Sequence, residues 1–178
     1  MAQVAVIVGS DSDLPVVKGT VEILEEFGVA YELTIASAHR TPKRAMDLAM
    51  TAEERGVDVI IAAAGAAAHL PGFLAAFTTV PVIGLPIRSG ALEGVDALYS
   101  MAQMPSGIPV ATVGINNAKN AALLAVAILG VVDEELRTKL KEYRKRQACA
   151  LNDRAVHLEE VGLRAYLAEK EKEKEKGG

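Results

Sequence analysis

A chain of 178 residues, 51% of them apolar, is long enough for one domain with a sizeable core, short for two and too apolar for disorder. A formal charge of −4 makes no electrostatic case for nucleic-acid binding, and a single cysteine, Cys149, excludes a disulfide framework and a thiolate metal cluster. The Met-Ala-Gln start lacks a basic segment and the apolar run Val4 to Val8 is too short for a signal peptide, so a cytoplasmic protein is expected.

Val4-Ala5-Val6-Ile7-Val8 is continuously apolar, as befits a strand covered on both faces. After Gly9-Ser10-Asp11-Ser12-Asp13, a helix is expected from about Leu14 to Phe27, with Pro15 in its first turn and Gly28 as its C-terminal stop. A second strand, about Ala30 to Ala36, runs into Ser37-Ala38-His39-Arg40-Thr41-Pro42. Thr41 suits a helix N-cap and Pro42 the first helical position, so a helix should run from about Pro42 to Arg55 and stop at Gly56. Val57 to Ala64 is a third strand, followed by Gly65 to Gly72 and a short helix to about Thr78. Pro81 to Ile87 makes a fourth strand, Leu92 to Met104 a helix and Pro109 to Ile115 a fifth strand. The helix from about Ala118 to Leu129 is apolar nearly all round, which predicts burial on every side.

From Val59 to Ile87 there is no charged residue, but Gly65, Pro71, Gly72, Pro81, Gly84 and Pro86 break the run too often for a membrane span. Five alternations of strand and helix with short connections predict an α/β fold, a three-layer α/β/α sandwich on a five-stranded parallel sheet of the Rossmann or flavodoxin kind. Spacing alone leaves the strand order open. Beyond Gly130, Asp133-Glu134-Glu135 begins a long charged helix. Leu136, Leu140, Tyr143, Ala150 or Leu151, and Leu158 fall near heptad spacing, a stripe that suits a neighbouring subunit. One domain is expected over 1–167, including this packing helix. The Glu/Lys tail over 168–178, ending in Gly177-Gly178, should be solvated and frayed.

In a parallel sheet the loops after strands one, two and three emerge on one edge, which gathers Ser10 to Asp13, Ser37 to Arg40 and Gly65 to Leu70. His39 is the natural proton-transfer group and Arg40 an anion clamp. The first loop is neither a Walker A loop nor a dinucleotide fingerprint. Its two carboxylates would repel a bare phosphate, while hydroxyl and backbone N–H groups at a helix start attract one. A ligand carrying both sugar and phosphate reconciles these facts: Asp11 or Asp13 takes sugar hydroxyls, and Ser10, backbone amides and Arg40 take phosphate. The bland alternative is that Asp13 or Ser12 merely caps the helix, and for His39 that it is a turn histidine bonded to backbone. His69 stands evenly between the two kinds of role, and His157 reads as a surface residue. No pair among the three histidines has a short ligand spacing, so no metal site is expected. The basic residues from Lys139 to Arg146 read as a solvated helix face, and Ser10 has no Gly-x-Ser-x-Gly elbow.

Together, Gly9-Ser-Asp-Ser-Asp-Leu14, Ser37-Ala-His-Arg-Thr-Pro42, Ala67-Ala-His-Leu-Pro-Gly72, Gln103-Met-Pro105 and Pro109-Val-Ala-Thr-Val113 resemble the class I N5-carboxyaminoimidazole ribonucleotide mutase family of purine biosynthesis. The resemblance covers Val4 to about Leu129. It implies a flavodoxin-like domain assembled as a cytoplasmic homo-octamer, with no cofactor, no metal, no nucleic acid and no membrane partner. The implied reaction is an isomerisation that moves the carboxylate of the ribonucleotide from N5 to ring C4, giving 4-carboxy-5-aminoimidazole ribonucleotide. The family's general acid/base histidine falls on His39, and its ribonucleotide-binding residues on Ser10, Asp13 and Arg40, with Asp11 and Ser37 nearby. Gly65, His69 and Leu70, in the third loop, are expected to line the substrate as the wall of a dry pocket. Two departures stand out. Ala63 and Ala66 replace the family's usual glycines, so added methyl groups should narrow the pocket or exclude positive φ angles. Arg88 adds a fixed cation where Lys or Gln is more usual. Competing readings are direct carboxylation of aminoimidazole ribonucleotide by carbon dioxide, and a non-catalytic flavodoxin-like nucleotide-binding module.

Overall fold

The computed structural model describes residues 3–176. By internal contacts the chain divides into two compact units, Met1–Arg137 and Thr138–Gly178. The first is built from five strands, β1 (Val4–Val8), β2 (Tyr31–Ile35), β3 (Val59–Gly65), β4 (Val82–Ile87) and β5 (Ala111–Thr112), and five helices, α1 (Leu14–Phe27), α2 (Pro42–Met50), α3 (Leu70–Ala75), α4 (Val95–Ala102) and α5 (Ala118–Leu129). All strand pairs are parallel, in the order β2-β1-β3-β4-β5. That is the flavodoxin-like, doubly wound order, whose switch point lies between β1 and β3.

β1 and β4 are buried at every position, and β3 at every position but its last residue. Successive side chains alternate between two helical layers. Ala5, Ile7, Ile60 and Ala62 join one core with Ala45, Ala49, Leu74, Ala97 and Met101 from α2, α3 and α4. On the other side α5 lies on β3 and β4 and packs against α1. There the buried Thr20 hydroxyl donates to the Ala118 carbonyl at 3.0 Å. Helix α5 is buried along Ala118, Ala121, Ala122, Ala125, Val126 and Leu129, while Leu123, Leu124, Ala127 and Ile128 are only half-buried. Burial on every side is thus not reached within this unit, because a helix in an outer layer has only one face against the sheet and α1.

Element ends depart from the sequence reading for identifiable reasons. Helix α1 stops at Gly28, as expected, in the left-handed conformation at φ 71°. Helix α2 ends at Met50 rather than Arg55: the Ala52 N–H turns to Ala49 O at 3.3 Å, and the Leu48 carbonyl it would have used takes the Arg55 guanidinium at 3.0 Å. Helix α4 begins at Val95 rather than Leu92, since Glu93 and Gly94 are left-handed, at φ 53° and 88°. Edge strand β5 contracts to two residues, flanked by Pro109, which has no N–H, and left-handed Asn116. At the opposite edge, Arg44 of α2 donates to the Ile35 carbonyl at 3.1 Å and to the Thr34 hydroxyl at 2.8 Å. Arg55 pairs with Glu32 of the same strand at 2.9 Å.

The long terminal helix α6 spans Glu134–Lys176 with one non-helical residue, Gly162 (φ 76°, ψ 160°). Within the second unit, His157 Nε2 lies 2.6 Å from Glu169 Oε2, and its ring is 5.8 Å from that of Tyr166. The Glu/Lys segment is helical as far as Lys176; the expectation for Gly177 and Gly178 lies outside the described residues. No helix among the described residues is long and apolar enough to cross a membrane.

Gly84 sits in the interior of β4, where a Cβ would stand 2.9 Å from Met101 Sδ and 3.0 Å from Val110 Cγ1. Both side chains belong to packed core, so the expected cost of Gly84→Ala is that of overpacking, about 1–3 kcal/mol. Denaturant unfolding of the variant measures it.

Candidate active site

The pairing that places β1 between β2 and β3 brings their carboxyl ends together on one edge. The backbone continues the register past β1, where Gly9 N–H donates to Ala63 O at 3.0 Å. A cavity of about 340 Å³ opens there, within the range of small-ligand sites. A larger cavity of about 680 Å³ lies at the opposite edge, around the starts of β4 and β5, but its only ionisable lining residue is Glu53. Of these two cavities, the first holds the imidazole, guanidinium and buried carboxylate side chains.

The first loop forms a single 3-10 turn, Asp11–Asp13, before α1. Ser10 Oγ donates to Asp11 Oδ1 at 3.1 Å, and Ser12 N–H donates to the same carboxylate at 3.0 Å. Asp11 is exposed and stays off the cavity, its carboxylate taken up by its own loop. Asp13, by contrast, lines the cavity and is only 8% exposed. Asp13 makes no side-chain cap bond to α1. Burial pushes its carboxyl above the ordinary carboxylate range, and Asp11 adds to the rise. Hydrogen bonds from the Ser12 hydroxyl and Ser10 backbone, with the Arg40 charge, oppose it only in part.

The second loop is a self-bonded turn. Ser37 Oγ accepts from His39 N–H at 3.3 Å and from Arg40 N–H at 3.1 Å. Thr41 occupies the N-cap position, but its hydroxyl bonds backwards: it accepts from Ser37 N–H at 2.8 Å and donates to Ser37 O at 3.3 Å. It closes the turn instead of capping α2. The turn presents His39 and Arg40 to the cavity, and Arg40 Nη2 donates to Gly9 O at 2.9 Å, tying the second loop to the first.

The third loop leaves β3 at Gly65 and re-enters helix at Leu70. Ala66 and Ala68 are left-handed, at φ 53° and 44°. The added methyl at 66 thus does not exclude positive φ; the loop adopts it against the residue's preference. Ala63 is ordinary buried strand. At the loop's end His69 Nδ1 lies 2.6 Å from His39 Nε2, the rings meeting edge to face at 81°. One ring must donate and the other accept, so the two imidazoles are not both cationic while the contact holds. A third cavity, of about 350 Å³, shares Ala38, His39, Ala68 and His69 with the first and is otherwise lined by Gly72, Phe73, Ser100 and Met104. Both imidazoles thus belong to the walls of both cavities.

Of the residues singled out from sequence, Ser10, Asp13, Ser37, His39, Arg40, Gly65, His69 and Leu70 line one cavity, and Asp11 does not. Arg88 is also outside it; its guanidinium pairs with Glu93 at 3.5 Å. The residue missed is Ser89, which lines the cavity and whose hydroxyl accepts from Ala66 N–H at 2.8 Å. The available signal was its place two residues beyond the fourth strand, on the same edge as the other three loops.

A family model described as AIR carboxylase matches residues 3–150. The N5-carboxyaminoimidazole ribonucleotide mutase of Thermotoga maritima is 56% identical over 171 residues, covering 96% of this chain and 100% of that protein. Its namesake in Pyrococcus horikoshii is 60% identical over 166 residues, covering 93% and 94%. The crystal structure of Treponema denticola PurE superposes with a TM-score of 0.78 at 32% identity, covering 87% of this chain and 97% of that one. With the switch-point cavity and its loops in the same chain, these matches lead to one conclusion: the chain belongs to the AIR carboxylase family.

Proposed function

We propose that the protein is an N5-carboxyaminoimidazole ribonucleotide mutase, an isomerase of purine biosynthesis. The observation that carries this reading is the placing of one imidazole, His39, in the same small cavity as a buried carboxylate, a guanidinium and an alanine-lined loop. The names of relatives covered over nearly their full length support it.

The reaction needs a proton delivered to nitrogen and another removed from carbon. Protonated His39 supplies the first as the N5–carboxyl bond breaks. The electron pair stays on nitrogen and carbon dioxide is freed. C4 then attacks the carbon dioxide, and neutral His39 takes the C4 proton, returning to its starting form. His69, in hydrogen-bond contact with His39, fixes which ring nitrogen carries the proton. Arg40, Ser10 and backbone amides of the first loop take the phosphate, while Asp13 takes sugar hydroxyls. Ser37 holds the turn and keeps its own O–H as a donor. Gly65 and Leu70 complete a wall with little room for water, which keeps carbon dioxide against the ring.

A single functional domain over 1–167, a homo-octamer that uses the apolar faces of α5 and α6, and a cytoplasmic location belong to the same reading. Half-buried Leu123, Leu124 and Ile128 on α5, and exposed Leu151 and Leu158 on α6, support the assembly. The decisive experiment incubates the protein with the N5-carboxylated ribonucleotide and, separately, with the uncarboxylated one plus carbon dioxide. Isomer from the first supports the mutase, product from the second alone supports the direct carboxylase, and binding without product in either supports a non-catalytic module.

Replacing His39 by Asn is expected to lower kcat by about 10² or more, the usual worth of a positioned acid/base, with substrate affinity retained by calorimetry. Arg40→Ala should instead weaken binding of the phosphorylated substrate about tenfold or more, read as Kd. Asp13→Asn separates stability from function. Because burial raises the folded carboxyl above 3.8, the folded state holds its proton more tightly than the unfolded one. Ionisation therefore costs stability, in full above the folded pKa and not at all well below 3.8. The Asn variant should be the more stable protein at pH 7, lose that advantage on acidification and bind substrate about tenfold or more weakly. Thermal melts across pH and a binding titration read both.

A further inference from the structure

The left-handed alanines of the third loop need something to hold them, because nothing in their own chemistry favours that conformation. Ala66 is exposed, so burial does not hold it in place. What it has is one hydrogen bond across the cavity mouth, from its N–H to Ser89 Oγ at 2.8 Å. Ser89 is itself placed by the sheet. It lies two residues beyond the end of β4, and Gly65 is the register partner of Ile87. The fit is close: a Cβ on Gly65 would stand 2.7 Å from Ser89 Oγ, 3.2 Å from Ser89 Cβ and 3.3 Å from the Ile87 carbonyl. The absence of a side chain at 65 is what lets the serine reach over the strand end to the next amide. Beyond it, Ala68 N–H closes a turn on Gly65 O at 3.0 Å, and His69 follows with its ring against His39.

We propose that Ser89 is a positioning residue: its hydroxyl clamps Ala66 in the left-handed conformation and thereby sets His69 against His39. It acts through the loop, with no contact of its own to the reacting atoms. The proposal rests on the reading of His39 as the proton-transfer group. It makes Ala66 and Ser89 two halves of one device, since an alanine in this conformation needs a clamp that a glycine would not.

The test is a cycle of Ser89→Ala, Ala66→Gly and the two together, assayed for kcat and KM on the N5-carboxylated ribonucleotide. The expected result is that Ser89→Ala lowers kcat about tenfold, with KM within about twofold, in the protein that keeps Ala66. In the protein that also carries Ala66→Gly, the same change should cost less than about threefold. An unchanged kcat, or an equal loss in both backgrounds, overturns the clamp. The second result would mean that the hydroxyl acts on the ligand directly. A readout independent of turnover runs beside it: amide hydrogen exchange of the peptide covering 65–69 should quicken about tenfold in Ser89→Ala, with the β-strand peptides unaffected. Unchanged exchange there also overturns the proposal. If the unaltered protein does not isomerise the substrate, the mutase reading fails on its own account, and the exchange comparison still decides whether Ser89 holds the loop.

Discussion

Parallel pairing of β1 with strands on both its sides is the constraint from which the site follows. A parallel ladder sends every chain end the same way, so the loops after β1, β2 and β3 have only one edge on which to meet. The order places β1 at the switch point, and helices leaving in opposite layers open a crevice there without any residue being spent on making it. Small residues at the end of β3 leave the opening free: Ala64 and Gly65 both line the cavity.

Polar groups around the crevice divide between those that build loops and those left to face a ligand. Asp11 and the Thr41 hydroxyl are consumed by backbone contacts within their own turns. Asp13 is held in a desolvated position that raises its pKa, an arrangement that costs stability and is hard to explain as capping, since it caps nothing. Arg40 joins two loops while lining the cavity, so its charge is fixed before any anion arrives. Preorganisation of this kind limits what must be reordered when substrate binds.

Much of this was legible in the chain. Continuous apolar runs at Val4 to Val8 and Val59 to Ala64 marked doubly covered strands, and the alternation with helices implied parallel pairing and hence the convergence of loops. The strand order was not legible, because any crossover of similar length reads alike. Thr41 followed by Pro42 looked like a cap and proved to be a turn closure, since a hydroxyl at that position can bond forwards or backwards with equal local chemistry. The left-handed Ala66 was out of reach for a different reason. Intrinsic preference points the other way, and the group that overrides it stands 23 residues downstream. Ser89 carries no motif of its own, and its signal is positional: a fourth strand in the same direction must deliver a fourth loop to the same edge.

The side chains that Arg44 and Arg55 lay along β2 have a bearing on how the molecule meets other molecules. Exposed strand margins are templates, and this one carries partly bare Leu33 and Ile35. With a guanidinium already seated on its last carbonyl and a second ionic link at Glu32, the margin offers a stranger's backbone a charged fence in place of a vacant acceptor. Growth by sheet continuation is discouraged from that side.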